Sequence, residues 1–189
     1  AVLANGGNWH KTYGSIGAGG GGRIAVHYNT DSQGGAPVPS VQFSALPGKD
    51  GSVSARGYHG DIGSLWFPDT RFWSMDMHLL QGQLFGVASW TTPALVLTNR
   101  WIGFSEEGFD LTVAGDVRVD GLYAGLSLGG PLAANHCGGG AAGNAQYRFG
   151  AGTPAHLTVG GDLLVTNKAR VFVYSAATNA VHTEYGARV

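Results

Sequence analysis

Two stretches of the chain repeat one another. Leu111-Thr-Val-Ala-Gly-Asp-Val-Arg-Val119 is matched, 46 residues on, by Leu157-Thr-Val-Gly-Gly-Asp-Leu-Leu-Val165. In each, an apolar-x-apolar triplet is followed six residues later by a second one. A third triplet comes next, within Gly125-Leu-Ser-Leu128 in one block and Arg170-Val-Phe-Val173 in the other. On a strand, such a triplet sends two side chains to one face and the middle one to the other. Gly115-Asp116 and Gly161-Asp162 supply sharp corners between the triplets, with each Asp expected to bond its own turn backbone. Three short strands joined by tight turns make one structural repeat, and such repeats bury their apolar faces only by stacking on each other. Leu95-Val-Leu-Thr-Asn-Arg-Trp-Ile-Gly-Phe104 resembles Leu163–Phe172 and predicts a further repeat.

The rest of the chain agrees with an all-β class. No 11-residue window shows the helical apolar period without Gly or Pro. Short alternating runs bounded by turn residues predict strands at Arg23–Tyr28, Val41–Leu46, Ser52–Arg56, Leu84–Trp90, Ala94–Leu97 and Trp101–Phe104. Glycine supplies 33 of the 189 residues, far above the roughly 7% of average proteins. With 43% hydrophobic and only 12% charged residues, the chain has the material for a core and lacks the profile of a disordered linker. The net charge of −1 leaves no basic patch for nucleic acid. No apolar run approaches the roughly 18 residues of a membrane-spanning helix. The expected organisation is a Gly-rich lead and an aromatic-rich β-region over 1–93, either a cap or an inserted subdomain. Repeats follow over 94–189, interrupted by a Gly/Ala-rich excursion at 131–154. A β-sandwich is the alternative architecture.

The pattern L-T-V-x-G-D-(V/L)-x-V resembles the right-handed parallel β-helix superfamily. Gly17-Ala-Gly-Gly-Gly-Gly-Arg-Ile-Ala-Val-His-Tyr28 is similar to Gly-rich segments of large secreted bacterial β-helix proteins. The resemblance covers about 94–128 and 155–189. It implies a β-solenoid, a fold that serves surface adhesins, tailspikes and polysaccharide-cleaving enzymes alike, so it implies no activity by itself. No enzyme motif is present on which a catalytic residue could be carried over.

Several constellations invite chemistry and fail on context. Gly17-x-Gly19-x-x-Gly22 fits a dinucleotide fingerprint, but a strand pattern follows where a helix is required. Gly125-Leu-Ser127-Leu-Gly129 fits a nucleophile elbow, yet Ser127 sits inside a repeat strand, without the following helix. The seven histidines, His10, His27, His59, His78, His136, His156 and His182, show no metal-ligand spacing, and lone Cys137 has only His136 beside it. Asp116 and Asp162 give one carboxylate per repeat, too few for calcium. Glu106 and Glu107 diverge as neighbours, while Asp61, Asp69, Asp76 and Asp110, with Arg56, Arg71 and Arg100, offer scattered acid–base groups for a lyase. We expect no cofactor and no metal.

The best functional lead is the aromatic region, which holds four of the five Trp residues. Trp66, Asp69, Arg71, Trp73, Trp90 and Trp101 have the composition of a sugar-stacking surface, since ring faces bind apolar sugar faces and polar neighbours select hydroxyls. Packing of the same rings into a core or end cap is the competing expectation. The sequence thus favours a non-catalytic structural module of a secreted or cell-surface filament protein, a piece of a longer chain that associates with itself through its ends. A carbohydrate-binding module or a β-helix polysaccharide lyase or hydrolase is the alternative. A low-charge surface rich in Gly, Ser, Thr and Asn points to an extracellular setting, to which the single cysteine adds nothing.

Overall fold

A computed structural model describes residues 1–8, 18–48, 62–129 and 154–173. The chain is mostly β, with parallel sheets and, among the described residues, one short helix, α1 (Thr30–Gln33). Asn29 caps that helix by accepting a hydrogen bond from the Ser32 amide at 2.9 Å.

Nine of the strands fall into three consecutive triples. The first is β6 (Ser89–Thr92), β7 (Leu95–Thr98) and β8 (Trp101–Phe104). The second is β9 (Asp110–Val113), β10 (Val117–Asp120) and β11 (Gly125–Leu128), and the third is β12 (His156–Val159), β13 (Leu163–Thr166) and β14 (Arg170–Val173). Each strand pairs in parallel with its counterpart in the next triple, giving the sheets β6-β9-β12, β7-β10-β13 and β8-β11-β14. The repeat read from the sequence is this register: Leu111 pairs with Leu157, and Leu95 and Leu163 flank Val117.

The last of these sheets continues through β5 (Leu80–Phe85), which pairs with β8. On its other edge β5 is shared by two partners. Leu80 and Gln81 pair with β3 (Phe43–Ser44), and Gln83–Phe85 pair with β4 (Ser64–Trp66). Beyond them lie β1 (Val2–Leu3) on β3 and β2 (Arg23–Ala25) on β4. The sheet therefore runs unbroken across residue 93. All strand pairings among the described residues are parallel, and the antiparallel hairpins of a β-sandwich are not among them.

Burial alternates along β7, β9 and β10, whereas β8 and β11 are buried on both faces. Leu95, Leu97, Leu111, Val113, Val117, Val119, Leu126 and Leu128 are fully buried, while Val96, Thr112 and Arg118 between them are exposed. Each buried aliphatic side chain contributes about 1.5–3 kcal/mol. One core cluster runs from Phe43 to Val173. At the last triple the column thins: Val165, in register with the fully buried Val119, is 41% exposed.

Corners differ in length from one triple to the next. Thr98 is followed by two residues before β8, whereas Asp120 is followed by four before β11 and Thr166 by three before β14. Asn99, Gly121 and Asn167 take positive φ at the same point of each corner, where a left-handed residue turns the chain. Lys168, also at positive φ, is an extra residue relative to the first triple, so Trp101 pairs through Gly125 with Arg170 and not with Ala169.

Two expectations are corrected. The single strand at Leu84–Trp90 is two, because Gly86 at φ +97° turns the chain between β5 and β6. Asp116 does not close its own turn: its carboxylate accepts from the Asp162 amide of the next triple at 2.9 Å. The expected strand at 52–56 and all of the excursion at 131–154 except its last residue lie outside the described residues.

The Gly-rich lead packs as backbone. Three segments, 4–7, 19–22 and 44–48, are each hydrogen-bonded to both others. The bonds include Gly6 N to Leu46 O (2.9 Å), Gly22 N to Ala4 O (2.6 Å) and Gly48 N to Gly19 O (2.8 Å). A β-carbon on Gly6, Gly21, Gly48 or Gly63 would overlap a neighbouring carbonyl. At these four positions the backbones approach too closely to admit a side chain.

Candidate functional site

The aromatic region folds into several environments. Trp73 is 8% exposed and lies edge-on to Trp90, with ring centroids 5.6 Å apart; it also touches Phe104 and Phe109. Phe104 and Phe109 stack at 4.7 Å. These rings meet the inward faces of β6 and β8, so Trp73 and Trp90 pack with the core of the first triple. Trp101 lies on the opposite face of its sheet, 5% exposed, in a small cluster with Ile62 and Phe172. Trp66 is half-buried on β4, its ring stacked 4.7 Å from His27. Of the four indoles named from the sequence, the structure brings together only Trp73 and Trp90.

The polar members serve the chain itself. Asp69 accepts from the Tyr28 hydroxyl and from the Arg71 amide at 2.9 Å. Burial first, and then the hydrogen bond to Asp69, raises the Tyr28 phenol well above its ordinary range, so it stays protonated as a donor. The Arg71 guanidinium donates to the Gln33 and Ala36 carbonyls, tying the end of α1 to the aromatic region. Asp69 and Arg71 are thus adjacent and engaged in positioning 28–36.

A Ser-Asp-His grouping went unread in the sequence because it is packed into five consecutive residues. Ser74 Oγ donates to Asp76 Oδ1 at 2.7 Å, and His78 Nδ1 lies 2.8 Å from the same oxygen. Ser74 Oγ also lies 3.4 Å from that same Nδ1. A nucleophilic triad needs the base to face serine with one ring nitrogen and the acid with the other. Here one nitrogen meets both, and the His78 and Asp76 side chains are 54% and 59% exposed. Partial desolvation opposes ionisation of Asp76. The hydrogen bonds from the His78 ring, the Ser74 hydroxyl and the His78 amide outweigh it and hold the carboxyl at about 2.

The remaining candidates are dispersed. Ser127 is fully buried between Gly103 and Phe172 in register, its hydroxyl without a partner among the described residues. Glu106 accepts from the Gly86 amide at 2.6 Å, and Asp110 bonds His156 across the β9–β12 pair at 2.7 Å. Asp120 accepts from Thr166 and Asn167 of the next triple and from Arg118, and these bonds lower its pKa. Arg100 is half-buried. His10, Arg56, His59, Asp61, His136, Cys137 and His182 lie outside the described residues. Among the described residues no three His, Cys, Asp or Glu side chains gather to hold a metal ion, and no helix is long and apolar enough to cross a membrane.

No family model matches the chain, and neither a curated protein nor a solved structure matches it.

Proposed function

We propose that the chain is a non-catalytic structural module, a segment of a right-handed parallel β-helix in a secreted or cell-surface protein. The observation that carries this reading is the residue-for-residue parallel register of three strand triples around one apolar column. Such a stack gives length and rigidity through a ladder of backbone bonds, and its polar outward residues link neighbouring triples, as Asp110–His156 and Asp120–Thr166 do. The aromatic region supports one end: Trp73 covers inward rings of the first triple, and Val96 N donates to Met75 O at 2.7 Å. At the other end, among the described residues, β12, β13 and β14 have a neighbour on one side only, and Val165 and Leu163 are incompletely covered. An unpaired strand edge beside apolar side chains is a surface for further stacking.

Sedimentation across a wide range of protein concentration tests this. The module associates through its β12–β14 end, and Val165→Lys abolishes the association without loss of fold. A strictly monomeric chain at high concentration contradicts end-on stacking.

A further inference from the structure

The outer face of the large sheet carries a groove that none of these roles uses. Along β2, β4 and β5 the inward residues are Ile24, Leu65 and Leu84. The alternate residues therefore face out in two rows: Arg23, Ser64 and Gln83, then Ala25, Trp66 and Phe85. They line an open groove of about 620 Å³, with Glu106 also on its lining. Ligand sites typically enclose roughly 300–1,000 Å³.

The groove is held in shape before any ligand arrives. Gln83 is buried, its amide donating to the Ile62 carbonyl at 2.7 Å and accepting from Ser105 at 3.4 Å. Glu106 is oriented by the Gly86 amide, and Trp66 by its stack on His27. Arg23, by contrast, is exposed and has no hydrogen-bond or ion-pair partner among the described residues.

This chemistry selects a class of ligand. A guanidinium donates only and a carboxylate accepts only, so the pair suits groups that do both, which hydroxyls do. One cation and one anion on the same lining cancel, which disfavours phosphates and polyanions. Half-exposed Trp66 and Phe85 offer ring surface for the C–H face of a sugar. We propose that this groove binds a short neutral oligosaccharide. The proposal is independent of end-on stacking, because the groove lies on β2, β4 and β5 and the open edge on β12–β14.

The test is calorimetric titration of the chain with cellohexaose, laminarihexaose, xylohexaose and mannohexaose, with trigalacturonate as the anionic probe. At least one neutral hexasaccharide binds, and trigalacturonate binds more weakly. Arg23→Ala and Glu106→Gln each weaken binding about tenfold or more, as loss of a hydrogen bond to a charged group does. Arg118→Ala, on a different sheet, leaves it unchanged. Arg23 is exposed with no hydrogen-bond or ion-pair partner among the described residues, and glutamine at 106 still accepts from Gly86, so thermal melts of both variants match the parent. Absence of binding by all four neutral probes overturns the proposal. So does preference for trigalacturonate, or binding that survives both groove substitutions.

Discussion

The indole of Trp101 lies across the backbone of Gly125 in the neighbouring strand, occupying the space a β-carbon there would fill. The largest side chain and the smallest residue are thus paired in register on the outer face of one sheet. Gly125→Ala forces the ring aside and lowers stability by about 1–3 kcal/mol, the usual range for overpacking. Trp101→Ala costs about 3–5 kcal/mol by emptying the same site. Because the two residues share one volume, the double variant costs less than the sum of the single ones. Urea unfolding of the four proteins measures this cycle, and additive costs would count against the contact.

The Gly-rich segments give a second contrast. Gly63 has the Gly22 carbonyl and Ala45 within the reach of a β-carbon, whereas Gly35 has nothing within 4 Å. Gly63→Ala therefore destabilises by more than about 2 kcal/mol, or prevents folding, while Gly35→Ala stays within about 0.5 kcal/mol. Thermal melts of the two variants distinguish packed glycine from glycine that is merely frequent.

Register makes a third prediction about the apolar column. Leu126 is fully buried inside the second triple, and Val165 is 41% exposed at the end of the column. Leu126→Ala costs about 2–5 kcal/mol, and Val165→Ala less than about 1 kcal/mol in dilute solution. Equal costs, measured by denaturant titration at low concentration, would mean that the end is covered.

The Asp76 carboxyl supplies a pH dependence. Its folded value, about 2, lies below the ordinary 3.8, so ionised Asp76 favours the folded chain. That contribution is complete above about pH 4 and is lost as pH falls toward 2. The group is largely exposed, so the effect is small. Comparing melting temperatures of parent and Asp76→Asn from pH 6 to 2 shows a gap that narrows on acidification; a gap that widens would reverse the assignment.

Much of this fold was legible, and the reasons differ by region. The apolar-x-apolar triplets predicted β9, β10, β12 and β13 because a buried column admits only apolar side chains at alternate positions. The aromatic region hid β6 because Ser89-Trp-Thr-Thr92 carries one polar residue, buried Thr92, at an inward position. Thr92 is tolerated there by donating to the Ala94 carbonyl at 2.9 Å. The three-segment glycine packing had no signal beyond composition, since it is made of backbone bonds between segments some 15–40 residues apart. The candidate site was legible only as a list of residue types. Trp73 and Trp101 share a region of sequence but lie on opposite faces of one sheet, and Arg23 and Glu106, which line one groove, are 83 residues apart.

The account stands on the parallel register of successive triples, which a disulfide reads directly. Thr112 and Thr158 are register partners, both exposed on the same face, whereas Val159 points to the other. Cysteines on adjacent strands at matched positions fall within the Cα spacing of about 4.4–6.8 Å that a disulfide requires. In a Cys137→Ser background, the pair Thr112→Cys and Thr158→Cys oxidises to an intramolecular disulfide, while Thr112→Cys with Val159→Cys does not. Failure of the first pair to cross-link, or equal cross-linking of both, would contradict the stacked register and the structural role built on it.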